Sequence, residues 1–257
     1  MTDAMLRLGS TIGLFGLFVV LEHVAPARPN KLGIMRFCTQ TAMTAISSIL
    51  SRLALAGGLA SLALMSDANN FGIFNRVSTP DWIAIGVSFL AIDFAVWCQH
   101  VALHKLPWFW RLHRVHHGDT TMDVTTALRF HPFEILASLA FKAAIILLLG
   151  APPLAVLAFE IALGAGALFT HANIALPNWL ERGLRIAFVT PALHLIHHSP
   201  DPLETNSNYG FSFSIWDRIF GTFRPERRIA DGPIGLEDWR APADQTLAAM
   251  LANPFKK

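Results

Sequence analysis

Long apolar segments are the feature of this sequence that most constrains its fold. Five stretches carry at most two charged side chains each: about residues 6–24, 37–57, 82–104, 133–149 and 154–170. About twenty apolar residues in a helix cross the hydrocarbon core of a bilayer, where the backbone groups must bond to one another. Only 15% of all residues are charged, against about a quarter in a soluble domain. The sequence therefore predicts an all-α, multi-pass integral membrane protein.

The turns and interruptions between these segments predict how they are arranged. Gly150-Ala151-Pro152-Pro153 separates the last two segments and is typical of a turn, so these two segments should form a hairpin. Arg52 is costly in mid-bilayer, so we expect the second span to end near it and residues 53–65 to lie shallowly at the far surface. The first segment is either a span or a signal peptide. We expect a single domain over residues 1–257, with about four transmembrane helices in two helical hairpins and a tail over 224–257.

Basic residues beside the first and third segments predict the orientation in the membrane. They are Arg28, Lys31 and Arg36, followed by Lys105, Arg111 and Arg114. Cytoplasmic loops carry an excess of Lys and Arg, so the polar segments 105–132 and 171–223 should form a histidine-rich helical cap on the cytoplasmic side. The net charge of +2, without a basic block, argues against a nucleic-acid partner.

Two copies of one short pattern, His-x-x-His-His, occur in those polar segments. They are "LHRVHHGD" from Leu112 and "LHLIHHSP" from Leu193. Residues three or four apart share a helix face, and this also holds for the pair that ends the third span. With the last histidine of the hairpin, nine imidazoles should meet at one membrane face: His100, His104, His113, His116, His117, His171, His194, His197 and His198. His23 stands apart, and the role of His131 is open.

Clustered imidazoles at this spacing predict a metal centre. Neutral histidine is the commonest metal ligand, and nine ligands exceed what one ion holds, so two metals are expected. An all-imidazole set suits iron, zinc, copper or nickel alike. Haem ligation and an ion path through a transporter fit less well, since haem needs only one or two ligands and a path would distribute its histidines along the spans.

Two acids inside the spans are candidates to support these ligands. Asp93 lies seven residues before His100 and shares its helix face, and Glu160 lies eleven residues before His171. Carboxylates orient ligating histidines by accepting their other N–H. We therefore expect Asp93 to orient His100 rather than to make an ordinary interhelical hydrogen bond, whereas for Glu160 the two roles are equally open.

These residues resemble the fatty acid hydroxylase/sterol desaturase superfamily of membrane di-iron enzymes. Its three histidine boxes match His100-x-x-x-His104, His113-x-x-His116-His117 and His194-x-x-His197-His198. "RFHPFE" at 129–134, "HAN" at 171–173 and "NYGFSFSIWDRIFGTF" at 208–223 are similar to a bacterial branch. The resemblance runs from about Phe71 to Phe223. It departs from the familiar pattern at Phe94 and Trp97, where a tyrosine often precedes the first box.

The resemblance implies two iron ions that activate O2 to hydroxylate or desaturate a lipid C–H bond. The box histidines carry over as ligands, with His171 as an extra ligand and His131 less certain; Asn173 and Asn208 are further candidates near the metals. Some larger members carry a fused haem domain with a His-Pro-Gly-Gly signature, which this sequence lacks. Electrons are therefore expected from a separate reductase or ferredoxin, at a bacterial inner membrane.

The sequence leaves the lipid open among sterols, carotenoids, fatty acyl chains and ornithine-type lipids. It also leaves hydroxylation and desaturation open, since both use the same oxidant. The alternative class is a zinc-dependent membrane lipid hydrolase, whose nucleophile would be metal-bound water, or a metal-handling membrane protein.

Overall fold

The computed structural model describes residues 3–29, 33–229 and 232–256, and within them the chain is helical, without a β-strand. Lys31, one of the residues used for orientation, lies outside these ranges. The helices are α1 Asp3–Val24, α2 Ile34–Ala54, α3 Gly58–Ala68, α4 Asp81–Lys105, α5 Pro107–His117, α6 Pro132–Leu149, α7 Pro153–His171, α8 Asn178–Leu184, α9 Pro191–His197, α10 Pro202–Thr205, α11 Ile215–Ile219 and α12 Leu247–Ala252. Short 3-10 turns lie at Val124–Leu128, Glu237–Trp239, Pro242–Gln245 and Asn253–Phe255.

Five helical segments in the described residues are long and apolar enough to cross a membrane. They are Met5–Val24, Ile34–Ala68, Asp81–Lys105, Pro132–Leu149 and Pro153–His171. This confirms the all-α, multi-pass prediction, with five candidate spans where about four were expected. The helix of the second segment breaks after Ala54, close to Arg52, and the segment continues as α3; the end of the span near Arg52 and the shallow position of residues 53–65 stay predictions. The prediction of a single domain over the whole chain stays a prediction.

The predicted turn between α6 and α7 is present, and a glycine makes it possible. Gly150 ends α6 with φ +63°, a left-handed conformation that favours glycine. The loop after α3 docks on this turn through two backbone hydrogen bonds, Ile73 N–H to Leu148 O at 3.1 Å and Phe74 N–H to Leu149 O at 2.8 Å. A Cβ on Gly72 would lie 2.2 Å from the Gly150 nitrogen, so only glycine allows this close approach. The α6–α7 hairpin is thereby joined to the chain that precedes α4.

The main apolar core lies between α3, α4, α6 and α7. Its buried members include Leu59 of α3, Ile92 of α4, Ile146 of α6 and Phe159 of α7. Helix α1 packs along α7, and α2 packs along α6. The ends of α4 and α7 that carry histidines are therefore held side by side by the helices around them.

Two charged side chains from α1 and α2 fix the loops beside the histidines. Arg36, at the start of α2, donates to both carboxylate oxygens of Asp119, at 3.2 and 2.6 Å, and also pairs with Asp123. Glu22, near the end of α1, accepts from the backbone N–H of Val124 at 2.6 Å and of Asn173 at 2.7 Å. These contacts connect both N-terminal helices to the chain just after α5 and α7.

Candidate metal centre

Four helices deliver the histidines to one buried cluster. Helix α4 ends with His100 and His104, α5 ends with the first triplet, α7 ends at His171, and α9 with the residue after it carries the second triplet. Prolines at the first position of α5, α7 and α9 favour helix starts there, which fixes where three of these four helices begin. Eight of the nine imidazoles are buried, and His104 is partly exposed.

The nine histidines form two groups in which one nitrogen from each residue lies within 4.8 Å of the others. The first group holds five residues and the second holds four: His100, His104, His113, His117 and His197; then His116, His171, His194 and His198. The two groups adjoin each other, since the rings of His117 and His198 are 4.5 Å apart. The structure thus brings together all nine histidines singled out in the sequence.

Each His-x-x-His-His triplet contributes to both groups. The first triplet sends its first and last histidines to the five-residue group and His116 to the other group. The second triplet sends His197 to the five-residue group and its other two histidines to the four-residue group. Residues three and four apart on a helix diverge slightly around its axis, so one triplet can face two neighbouring sites. The repeated pattern therefore builds two sites together rather than one site per copy.

Protein acceptors fix the orientation of four of the rings through Nδ1. The backbone carbonyls of Tyr209, Ser207 and Ala167 lie 2.6, 2.7 and 2.6 Å from Nδ1 of His100, His197 and His171, respectively. The Glu134 carboxylate lies 2.7 Å from Nδ1 of His113. When Nδ1 carries the proton and donates it to such an acceptor, Nε2 is left with a lone pair that can bind a metal.

The Nε2 atoms of these oriented rings point at one another. Nε2 of His100 lies 3.1 Å from Nε2 of His197 and 3.0 Å from Nε2 of His113. Nε2 of His171 lies 3.0 Å from Nε2 of both His116 and His194. For His100, His113 and His197, whose Nδ1 atoms all face acceptors, both Nε2 atoms of each contact carry lone pairs. Two lone pairs repel each other and cannot form a hydrogen bond, so the contacts in this group call for a cation between them. Two nitrogens about 2.1 Å from one ion and at right angles are about 3.0 Å apart, so the set fits a metal.

Burial keeps the histidines in the form that binds a metal. Removal from water, followed by the neighbouring imidazoles, holds the pKa of five of them well below its usual value: His116, His117, His194, His197 and His198. A neutral imidazole offers a lone pair, whereas a protonated one does not. Ring nitrogens of His104, His117 and His198 also lack a hydrogen-bond partner while buried, which is the state that coordination would relieve.

The two acids predicted to support the ligands lie elsewhere. Asp93 accepts from the indole N–H of Trp216 at 2.7 Å, and Glu160 forms an ion pair with Arg7 at 2.5 Å. The expectation that Asp93 orients His100 is wrong because seven residues of helix separate the two by about 10 Å along the axis. Glu160 lies eleven residues before His171, about 16 Å away by the same rise, and it makes an interhelical contact instead.

The three remaining candidates support the backbone around the centre. His131 belongs to neither histidine group; it caps α6 by accepting from the Phe133 N–H at 3.2 Å. Asn173 accepts from the backbone N–H of Arg28 at 3.0 Å and donates to the Arg28 carbonyl at 2.8 Å. Asn208 adopts φ +50° and donates to the backbone carbonyl of Leu193 at 3.1 Å. Their sequence motifs predicted a place near the metals, and their contacts are structural.

Two buried carboxylates near the centre were not predicted as site residues. Glu134 holds His113, and Asp217 accepts from the backbone N–H groups of Tyr209 and Gly210 at 2.9 and 2.8 Å. Asp217 thereby fixes the backbone whose Tyr209 carbonyl orients His100. Both acids lie inside quoted motifs, "RFHPFE" and "NYGFSFSIWDRIFGTF". The available signal in the sequence was an acid inside a motif shared with the family.

A model of the fatty acid hydroxylase family matches residues 85–222, which include all nine histidines and both of these carboxylates. The chain belongs to this family. The match covers more than half of the chain and confirms the resemblance drawn from the histidine boxes.

Relatives named for lipid hydroxylation or monooxygenation align over half to two thirds of this chain. The ornithine lipid hydroxylase OlsE of Rhizobium tropici is 32% identical over 64% of this chain and 48% of its own length. An alkylglycerol monooxygenase of Danio rerio is 30% identical over 56% and 30% of the two chains, and human cholesterol 25-hydroxylase is 28% identical over 52% and 47%. The chain thus spans about half, or less, of the length of these relatives. No solved structure gives a significant match.

Proposed function

We propose that this chain is an O2-dependent di-iron oxygenase that hydroxylates a C–H bond of a membrane lipid. The observation that carries the proposal is the pair of buried histidine groups whose ring nitrogens converge beside a largely apolar cavity. The nine histidines would hold two iron ions, with five and four candidate ligands. The relatives are named for the hydroxylation or monooxygenation of an ornithine lipid, an alkylglycerol and cholesterol, which favours hydroxylation over desaturation.

The oxidation of a C–H bond explains why the site needs no pair of side chains for general acid–base catalysis. An unactivated C–H bond has no proton that a side chain can remove, so the bound irons would supply the activation of O2 and the oxidation of that bond. The reaction consumes one O2, two electrons and two protons, places one oxygen atom in the lipid and releases the other as water. The chain's own part is to hold and orient the ligands, to exclude water and to position the lipid.

A cavity of about 300 Å³ beside the five-residue group is the proposed lipid site. It lies between α4, α6 and α7, and His100, Glu134 and Phe130 line it on the metal side. A second, almost wholly apolar groove of about 460 Å³ lies between α1, α4 and α7. Phe211 lines both spaces, and its ring is 4.8 Å from the ring of His100. A lipid could therefore pass from the bilayer through the groove and past Phe211 to the metals.

The proposal also includes a partner and a location. We propose that a separate reductase or ferredoxin supplies the two electrons of each turnover. Trp110 is partly exposed, and its ring lies 5.0 Å from His104 and 5.4 Å from His117, so it offers a short path from the surface to the metals. Arg36 and Arg114 lie at the same end of the bundle as the histidines, in keeping with a cytoplasmic site in a bacterial inner membrane.

Metal analysis combined with lipid mass spectrometry tests the proposal. Purified protein should bind about two irons and, with a reductant, should add one oxygen atom to a lipid only when O2 is present. Comparing the lipids of a deletion strain with those of its parent identifies the substrate. Lipids that are one oxygen heavier in the parent, and absent from the deletion strain, are the products. The alternative, a zinc-dependent lipid hydrolase, predicts zinc in the purified protein and O2-independent release of a fatty acid or headgroup. That result would refute the proposal.

A further inference from the structure

The cavity beside the metal centre is not purely apolar. Its wall along α6 presents Glu134, Ser138 and Lys142, and residues four apart lie on one face of a helix. Glu134 touches the metal ligand His113, whereas Lys142 lies eight residues further along, about 12 Å deeper by the helical rise. The cavity therefore has a metal end and, well inside the bundle, a polar end.

At the polar end of the cavity, positively charged side chains outnumber negatively charged ones. Glu160 also lines the cavity, but its carboxylate is already paired with Arg7 at 2.5 Å. Lys142 is half-buried in an apolar helix, lines the cavity and is attracted to Glu160 at longer range, but it makes no hydrogen bond or direct ion pair with any described residue. An ionisable group inside a membrane is costly and normally has a partner, so the amine of Lys142 points to a ligand.

Between Lys142 and the metal end, the cavity wall carries two further polar side chains, Ser138 and Gln99. Ser138 donates to the side-chain oxygen of Gln99 at 3.2 Å, which leaves the Gln99 amide N–H groups as further donors. Lys142 contributes an amine from the next turn of the same helix. Hydrogen-bond donors that have no acceptor in the protein complement an oxygen atom on a ligand. The rest of the cavity wall is apolar and includes Val96, Leu103 and Leu163.

We propose that Lys142 binds an oxygen group on the lipid, a carboxylate or a hydroxyl, while the apolar chain of the same lipid extends toward the metals. This rests on the proposed function, because it concerns the same cavity, and it adds the substrate class: a long-chain lipid with an oxygen acceptor distant from the oxidised carbon. Lys142 is then a residue that determines specificity and takes no part in the oxidation.

Competition binding tests this without turnover. Purified protein in detergent is saturated with radiolabelled 1-hexadecanol, which is then displaced by unlabelled palmitate, 1-hexadecanol or hexadecane. The three probes share a sixteen-carbon chain and differ in having a carboxylate, a hydroxyl or no oxygen. Because a hydrogen bond to a charged group contributes about 1.5–3 kcal/mol, we expect at least one oxygenated probe to bind about tenfold or more tightly than hexadecane.

Substitutions assign that preference to Lys142. Lys142→Met keeps a chain of similar length and should abolish the preference, whereas Lys142→Arg keeps donors and should retain it. Lys105→Met, at an exposed position at the end of α4, is the matched control and should behave as the wild type. A preference for palmitate alone would identify an anionic ligand group, and one for both probes would identify any oxygen acceptor.

Two results would overturn the inference: equal binding of all three probes by the wild type, or a preference that survives Lys142→Met in protein that still binds metal. The measurement needs neither O2 nor electrons, so its failure is separable from that of the proposed function. Lipid oxidation without a Lys142-dependent preference would remove only this inference. Selective binding without oxidation would remove only the proposed activity.

Discussion

At the scale of single residues, the carboxylate that orients a ligand is Glu134. It is 3% exposed and its contact with Nδ1 of His113 is 2.7 Å long. Glu134→Gln should lower iron affinity or lipid oxidation by about 10–100-fold with the fold retained, because the loss of such a partner makes the imidazole a poorer ligand. Iron content and turnover of the purified variant measure this. Asp93→Asn is the matched control, since Asp93 contacts Trp216; equal losses in the two variants would contradict the assignment.

A second residue-scale prediction separates the metal ligands from an ordinary histidine. His197 is buried in the five-residue group, whereas His23 is exposed and makes a hydrogen bond to the Val19 carbonyl of its own helix, at 2.8 Å. His197→Ala should abolish lipid oxidation and release much of the iron, because water fills the vacant position poorly, yet the protein should still insert in the membrane. His23→Ala should keep both properties. An active His197→Ala protein would refute the role of the second triplet as ligands.

At the scale of elements, Asp217 of α11 connects the C-terminal segment to α4. Its buried carboxylate accepts from the backbone N–H groups of Tyr209 and Gly210, from the Trp97 indole at 3.1 Å and from the Thr222 hydroxyl at 2.6 Å. Few single side chains in the described part of the protein join so many segments. The position of His100 thus depends on a residue more than a hundred positions later in the chain.

Asp217→Asn should therefore destabilise the protein and disturb the metal centre together. An amide NH2 cannot accept from the N–H donors that face it, and each buried donor left unpaired costs about 1–3 kcal/mol. We expect Tm to fall by several degrees and iron content to fall with it, as measured by thermal unfolding in detergent and metal analysis. Asp67→Asn, at an exposed position in α3, should change neither. A normal Tm with normal iron content would show that the network is dispensable.

At the scale of the whole molecule, the metals should hold four helices together. The ligands come from α4, α5, α7 and the end of α9, and without a cation their Nε2 lone pairs repel one another. A ligand that binds only the folded state stabilises it by about 2.7 kcal/mol at a hundred times its Kd. Chelation of iron should therefore lower Tm by several degrees, and Fe²⁺ should restore it, with a Tm that rises with the logarithm of the Fe²⁺ concentration. His197→Ala should respond less, and a Tm independent of metal in the wild type would contradict the shared site.

Local features of the sequence determined the helices and the identity of the histidines. Apolar segments of about twenty residues predict spanning helices because the hydrophobic effect and backbone bonding act on each segment by itself. The turn at Gly150 is likewise set by the residues within it. The spacing of the triplets is also local information, because residues three or four apart in a helix share a face. The histidine boxes needed no knowledge of how the helices pack.

The tertiary structure alone decided which residues surround those histidines. Asp93 shares a helix face with His100, but the two residues are too far apart along the helix axis to touch. The backbone carbonyl of Tyr209 accepts from His100 instead. The pairing of Glu134 with His113, and the division of each triplet between two groups, depend on the rotation and depth of one helix against another. Those quantities follow from the packing of many side chains across several helices, so a single segment of sequence does not contain them.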